Sequence, residues 1–316
     1  MKPAEFELID RIRARAATRG DVVLGIGDDA AILQPPPGKQ LVVTTDTLNE
    51  GVHFPEITRP EDIGWKTLAV NLSDLAAMGA QPAWCTLSLS LPRPDRQWLD
   101  GFLDGFLELA MQHGIAVIGG DTTRGPLSLG VTAMGFVEPG RALRRDGAQV
   151  GDDVWVTGTL GDAAAALQSL LAGAALDRAL RARLDRPTPR VEAGRGLAGL
   201  ANACIDVSDG LLADLGHICA RSGFGAEIEL EALPASPALQ HFAPALRHAW
   251  QAIGGDDYEL CFTASQELRN EIVAAMRTAG VQATRIGNVV AGQGVRALDA
   301  DGNLWRSPRH GYEHFA

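Results

Sequence analysis

Four short stretches of this chain repeat one pattern, in which glycines and aspartates follow aliphatic residues. They read GIGDDAA at 25–31, IGGDTT at 118–123, IDVSDG at 205–210 and IGGDDYEL at 253–260. An aliphatic run that ends at a glycine turn is typical of a strand and the loop after it. The pattern therefore predicts four acidic loops at strand ends, two in each half of the chain, and constrains the fold more than any other feature.

Length and segment order predict two domains of mixed α/β architecture. A chain of 316 residues exceeds one ordinary hydrophobic core. Strand-like and helix-like segments alternate in both halves, which is typical of α/β or α+β layers. Residues 138–152 are rich in glycine and charge without an apolar period, so we expect domains at 1–140 and 141–316.

Composition excludes several classes of partner. A net charge of −11 argues against nucleic acid or an anionic membrane surface as the main ligand. No apolar run approaches the roughly 20 residues of a spanning helix, and the first 20 residues form an amphipathic pattern that differs from a signal peptide. The four cysteines are scattered, which favours reduced thiols and a cytoplasmic protein.

Each acidic loop, considered alone, is explained by ordinary turn chemistry or by aspartate capping of a helix. The set is harder to explain in this way, because several aspartates are closely spaced and repel one another. These are Asp28 with Asp29, Asp206 with Asp209, and Asp256 with Asp257. Mg²⁺ binds such carboxylates together with phosphate oxygens, and glycine lets backbone N–H groups approach phosphates closely. Together the loops predict a metal–phosphate site.

The common nucleotide-binding motifs are missing from the sequence. The single Gly-Lys pair, Gly38-Lys39, continues into Gln40 and so is not a Walker loop. Protein-kinase signatures and the G-x-S-x-G elbow are also missing. GIGDDA resembles a truncated dinucleotide fingerprint, but acids replace the phosphate-binding positions. The chemistry must therefore come from another kind of site.

Seven stretches together resemble a known family. They are GIGDDAA, TTDTLNEGVHF, NLSDLAAMGA, IGGDTTRGPLS, GRALRR, DVSDGL and GGDDYEL. This set is similar to thiamine-monophosphate kinases, which belong to the superfamily of aminoimidazole ribonucleotide synthetase, and the resemblance runs from Phe6 to the closing GYEHF. It implies a two-domain fold with an N-terminal half that forms a β-barrel-like interface in a homodimer and a C-terminal α/β sandwich. It also implies direct, Mg²⁺-assisted phosphoryl transfer from ATP to thiamine phosphate.

The resemblance assigns roles to individual residues. The implied metal ligands are Asp29, Thr44, Thr45, Asp46, Asp74, Asp121, Asp206 and Asp209, with Asp28 beside them. The implied ATP contacts are Gly120, Asp121, Arg145 and Ser208. Thiamine phosphate would contact His53, Asp256 and Tyr312, and catalysis would depend most on Asp121, Arg145 and Asp209.

One position departs from the family pattern, and two alternative functions stay open. The family has GGEDYEL where this chain has GGDDYEL, so Asp256 replaces a glutamate. Another ATP-dependent synthetase of the superfamily would share the acidic loops but use a different acceptor. A non-catalytic Mg²⁺–nucleotide sensor would bind ATP and consume none.

Overall fold

The computed structural model describes residues 4–175 and 177–306, and the chain divides into two compact units. The first unit runs to residue 75 and includes 80–140, and the second combines 76–79 with the chain from 141 onward. Each unit contains both helices and a sheet, as the mixed α/β prediction requires. No helix within the described ranges is long and apolar enough to cross a membrane.

The first unit is built on a four-stranded sheet. Its elements are α1 (Ala4–Arg15), β1 (Val22–Leu24), β2 (Ile32–Leu33), β3 (Gln40–Asn49), α2 (Pro60–Ala77), β4 (Gln81–Leu91), α3 (Arg96–His113), β5 (Ala116–Arg124) and β6 (Ser128–Val137). The strand order is β3-β6-β4-β5, and β4 and β5 are parallel while the other pairs are antiparallel. Within the described chain this sheet is open, with β3 and β5 at its edges.

The second unit is built on a six-stranded sheet. Its elements are β7 (Asp153–Thr157), α4 (Asp162–Leu171), α5 (Arg178–Asp185), α6 (Val191–Leu197), β8 (Ala203–Asp206), α7 (Leu211–Ser222), β9 (Gly225–Glu229), α8 (Pro244–Ile253), β10 (Leu260–Ala264), α9 (Arg269–Thr278), β11 (Ala283–Val290) and β12 (Gly294–Leu298). The strand order is β12-β9-β11-β7-β10-β8, and only β12 and β9 are parallel. Apolar residues of β7, β8 and α7 form its main core.

Two acidic stretches differ from the predicted strand–loop arrangement. Asp121 lies inside β5, because parallel pairing with β4 continues through both preceding glycines as far as Arg124. The last stretch, 253–260, follows α8 and leads into β10. The prediction was wrong there because Ile253 ends an amphipathic helix, and a short apolar run does not distinguish a helix end from a strand.

Helices α2 and α3 pack closely at two glycines. A Cβ atom on Gly64 would lie 1.9 Å from the carbonyl oxygen of Phe102, and one on Gly105 would lie 1.7 Å from that of Glu61. No real side chain tolerates such distances, so the two backbones can approach this far only where both positions are glycine. The contact fixes α2, whose other side faces β3.

We expect Gly105→Ala to destabilise the protein by about 3 kcal/mol, since an added methyl must push α2 and α3 apart. Gly216→Ala is the matched control, because Gly216 lies in α7 with open space around its Cβ position. That change should be neutral or stabilise by up to about 1 kcal/mol through helix propensity. Urea unfolding of both variants checks this, and equal stabilities would show that the close packing is not required.

Candidate active site

The first group of predicted ligands lies where α2 packs against β3. The Thr44 hydroxyl donates to Asp74 Oδ2, and Asn71 Oδ1 accepts from the backbone N–H of Asp46 at 3.1 Å. Asn71 is fully buried, and its Nδ2 donates to the Thr67 carbonyl at 3.1 Å. These contacts hold Thr44 and Asp46 on the same face of β3 as the helix. The cluster therefore presents hard oxygen donors on rigid elements.

Thr45 points away from this cluster. Side chains alternate between the two faces of a strand, so the faces of Thr44 and Asp46 differ from that of Thr45. The Thr45 hydroxyl donates to the Val131 carbonyl at 3.1 Å and lies 3.2 Å from the Thr132 hydroxyl. The resemblance assigned three consecutive residues to the metal, and the strand places the Thr45 side chain on the face opposite to those of Thr44 and Asp46.

The GIGDDAA stretch is an exposed turn after β1. Gly27 has a φ of 124°, and a Cβ atom there would lie 2.7 Å from Arg13 Nη1, so the turn requires glycine. Asp28 Oδ1 accepts from the backbone N–H of Asp29 at 2.9 Å. Asp28 therefore helps to form the turn, while Asp29 presents its exposed carboxylate beyond it.

Gly120 has a structural role that its motif did not reveal. Its φ is 151°, and a Cβ atom would lie 1.8 Å from the Leu87 carbonyl oxygen. The glycine therefore permits the pairing of β5 with β4 that places Asp121, exposed, on the edge strand. Whether the Gly120 N–H also contacts ATP stays a prediction.

The sheet separates Asp46 from Asp121. Asp46 is in register with Val131 on β6, then with Leu87 on β4, and then with Gly120 on β5. Three strand spacings of about 4.8 Å give a separation of about 14 Å. Two oxygens on one magnesium ion lie within about 4 Å of each other. Within one chain, therefore, these two aspartates do not share a metal ion.

His53 is held by its own turn and by a buried lysine. Its Nδ1 accepts from the backbone N–H of Asn49 at 3.0 Å, and Lys66 Nζ donates to the His53 carbonyl at 3.1 Å. Lys66 is 2% exposed. Because Nδ1 accepts, the neutral imidazole carries its proton on Nε2. The ring is therefore oriented as a donor at Nε2.

In the second unit, the predicted ligands surround the start of α7. Asp206 ends β8 and is buried, whereas Ser208 and Asp209 are half-buried. The N-cap of α7 is Gly210, with no side-chain capping bond. Capping is therefore the wrong explanation for Asp209.

A residue that the sequence analysis did not single out organises this loop. Asp214 Oδ2 accepts from three consecutive backbone N–H groups, those of Ser208 (3.0 Å), Asp209 (3.1 Å) and Gly210 (3.1 Å). Asp214 is 3% exposed. Its burial, together with the nearby Asp209 carboxylate, raises the pKa of Asp214 to about 7. An aspartate four residues after a glycine turn, on the buried face of a helix, is the signal that could have found it.

The GGDDYEL stretch lies directly beside that loop. The backbone N–H groups of Asp256 and Tyr258 donate to the carbonyls of Ser208 (2.9 Å) and Val207 (2.8 Å). Asp256 and Tyr258 have φ values of 68° and 50°, a costly region for residues other than glycine. The Tyr258 hydroxyl donates to Asp256 Oδ1 at 3.1 Å. The loop therefore holds Asp256 in one fixed orientation.

The other two acids of this stretch point inward. Both oxygens of Asp257 accept from the Gly161 N–H at 2.9 Å, and burial raises the pKa of Asp257 well above its usual range. Glu259 is fully buried. Its carboxylate oxygens accept hydrogen bonds from the guanidinium of Arg190 at 2.5 and 2.6 Å and from that of Arg183 at 2.8 Å. These carboxylates hold the loop in place.

The remaining predicted residues are less constrained. Arg145 is exposed, and its carbonyl accepts from the Ser222 hydroxyl at 3.0 Å. Tyr312 lies outside the described residues. Among residues 4–175 and 177–306, no three His, Cys, Asp or Glu side chains are arranged to hold a metal by themselves. The all-oxygen donor set nevertheless fits Mg²⁺, which takes one or two carboxylates and completes its shell with water and phosphate oxygens.

We expect Glu259→Ala to destabilise the protein by about 3–5 kcal/mol, because it leaves two largely buried arginines without their carboxylate. Glu227→Ala is the matched control, since its partner Arg296 is 56% exposed. The control should cost less than about 1 kcal/mol. Denaturant unfolding measures both, and a similar loss in the two variants would contradict a specific role for the buried cluster.

Two family models match this chain, one in each unit. The model for the N-terminal domain of AIR synthase related proteins matches residues 27–137, and the model for their C-terminal domain matches residues 149–299. Together they cover well over half of the sequence. The fold is therefore that of the AIR synthase related proteins, and the predicted fold class is confirmed.

Individual relatives show to which family within the AIR synthase related proteins the chain belongs. The thiamine-monophosphate kinase of Escherichia coli K12 is 47% identical over 100% of this chain and 99% of its own length. The crystal structure of thiamine-monophosphate kinase from Stenotrophomonas maltophilia K279a is 57% identical, with a TM-score of 0.88, over 96% of this chain and 98% of that one. The chain belongs to the thiamine-monophosphate kinase family, as the resemblance predicted.

A further solved structure carries ligands. It is described as AaThiL complexed with AMPPCP and TMP, and it is 36% identical with a TM-score of 0.79. The match covers 98% of this chain and 97% of that one.

Proposed function

We propose that this chain transfers the γ-phosphoryl group of ATP to the phosphate of thiamine phosphate, giving thiamine diphosphate and ADP. The observation that carries the proposal is the relative bound to AMPPCP, an ATP analogue, and TMP, which this chain matches over 98% of its length. Family membership at 47% identity along the whole chain supports the same reaction.

For this reaction the protein must position the two substrates and neutralise the charge of their phosphates. The attacking group is a phosphate oxygen that is already ionised at neutral pH, so a strong general base is unnecessary. Phosphoryl transfer also needs no covalent intermediate on a side chain. The task of the chain is to hold two anionic substrates in line and close together.

We propose Mg²⁺ as the cation that the acidic residues of each unit bind. The proposed donors are Asp29, Thr44, Asp46, Asp74 and Asp121 in the first unit, and Asp206 and Asp209 in the second. The side chain of Thr45 is omitted, because it bonds to β6 on the opposite face of β3. Bound Mg²⁺ would offset the repulsion between the phosphates. The α2 residues Asn71 and Asp74 hold β3 so that its donors stay in place.

The remaining residues are proposed to bind the organic parts and the phosphates. Arg145 presents an exposed guanidinium, which suits a bidentate grip on phosphate. Ser208 and Gly120 would contact ATP. His53 would donate from Nε2 to thiamine phosphate, and Asp256, oriented by the Tyr258 hydroxyl, would contact the same substrate.

An ADP-release assay with Mg·ATP tests this function. Release is expected with thiamine phosphate, and not with thiamine or without acceptor, and phosphorus NMR should identify a diphosphate product. Asp209→Ala should lower turnover by about a hundredfold or more, since a positioned charge is lost from the reacting phosphates. Glu271→Ala, which changes an exposed residue of α9, is the control and should leave turnover unchanged.

The outcomes separate the alternatives. Release of ADP only with another acceptor would favour a different synthetase of the superfamily. ATP binding without release under any condition would favour the sensor.

We propose further that the working form is a homodimer in which two first-unit sheets meet edge to edge. Asp46 and Asp121 lie at opposite edges of one sheet, about 14 Å apart by strand spacing. Pairing of β3 in one subunit with β5 of its partner would bring these edges together and close a barrel. Leu41 and Val43 of β3 are about half exposed, at 49% and 55%, which is consistent with burial against a second copy.

Subunit complementation tests this arrangement. Asp46→Asn and Asp121→Asn subunits, each inactive alone, should regain about one quarter of wild-type activity after mixing and reassociation, because half of the dimers then contain one intact site of two. Asp46→Asn mixed with Asp74→Asn is the control and should regain none, since both changes lie at the same edge. An affinity tag on one of the two subunit types verifies that heterodimers form, because the untagged subunit then co-purifies with it. No recovery in verified heterodimers would place Asp46 and Asp121 of one chain in the same site.

A further inference from the structure

Asp214 places a negative charge where the fold makes it costly. It lies in the first turn of α7 and is 3% exposed, beside a core that includes Val207, Leu211 and Leu215. A neutral residue would avoid the cost of burying a charge, so the position of this carboxylate needs an explanation beyond helix formation.

The three N–H groups that Asp214 binds would otherwise form an anion site. Successive backbone N–H groups at a helix N-terminus are the usual cradle for phosphate. Here Asp214 Oδ2 occupies the N–H groups of residues 208–210 from the protein side, at 3.0–3.1 Å. A phosphate group therefore cannot use these donors. What the loop can offer a ligand is its side chains, Ser208 and Asp209.

The carbonyl side of the same loop is also fixed. Val207 and Ser208 accept from the N–H groups of Tyr258 and Asp256 at 2.8 and 2.9 Å. With N–H groups bound to Asp214 and carbonyls bound to the neighbouring loop, the peptide planes from 207 to 210 have little freedom to rotate. The directions of the Ser208 and Asp209 side chains are set by those planes.

We propose that Asp214 is a positioning residue for phosphoryl transfer, which acts by holding the 208–210 backbone so that Ser208 and Asp209 face the Mg²⁺–nucleotide. This inference rests on the proposed function. Asp214 itself binds neither metal nor substrate.

The test compares two variants of similar shape with a matched control. Asp214→Asn keeps an acceptor oxygen and should bind AMPPCP, in the presence of Mg²⁺, within about threefold of the wild-type affinity. Asp214→Leu removes the acceptor, and its AMPPCP affinity should fall tenfold or more. Its kcat should fall about a hundredfold, with the KM for thiamine phosphate nearly unchanged.

Asp177→Ala is the control, since Asp177 accepts the N–H groups of Ala179 and Leu180 at the start of α5. It should lose thermal stability and keep both affinity and kcat.

Calorimetric titration with AMPPCP measures the binding affinity independently of turnover. If Asp214→Leu binds like the wild type, or if Asp177→Ala loses as much affinity and turnover, the positioning role is overturned. If Asp214→Leu does not fold, Asp214→Asn decides alone, and a tenfold loss of affinity in it contradicts an acceptor role. A wild-type protein that binds AMPPCP but phosphorylates nothing would refute the proposed function and leave the binding comparison valid.

Discussion

Buried carboxylates that accept from backbone N–H groups or arginines organise two loops of the second unit, because a buried charge is costly unless hydrogen bonds compensate it. Asp214 takes three backbone N–H groups, Asp257 takes the N–H of Gly161, and Glu259 takes two arginines. Each of these inner carboxylates fixes a loop whose outer carboxylates, Asp209 and Asp256, stay partly exposed. The inner acids hold the loops in place, and the outer acids stay partly exposed.

In the first unit, a helix and a strand hold the proposed metal-binding residues in place. Its donors are held because α2 packs on β3 through Asn71 and Asp74, and α2 in turn is fixed against α3 by two glycine contacts. The same sheet keeps Asp46 and Asp121 apart, because it places them on different edge strands. A homodimer offers a physical reason for that geometry, since edge strands are completed by pairing.

Much of the architecture could be predicted from local patterns. The two-domain mixed α/β class follows from strand and helix alternation, and the family follows from motifs spread along the whole chain. Errors arose where local signals were ambiguous. Ile253 belongs to a helix and Asp121 lies within a strand, although loops after strands were predicted at both places. In each case packing or pairing with a distant segment decided between structures that the local residues permit equally.

The sequence by itself determined which chemistry the chain carries, because residue type alone sets the charge, the oxygen donors and the glycine freedom of the four acidic stretches. Only the tertiary structure decided which carboxylates stay accessible and which serve as internal supports. Asp256 and Asp257 are neighbours of the same type, yet one faces outward and the other receives a backbone N–H from a segment almost a hundred residues away. Burial and hydrogen bonding depend on what packs around a side chain, and that information lies in residues far along the sequence.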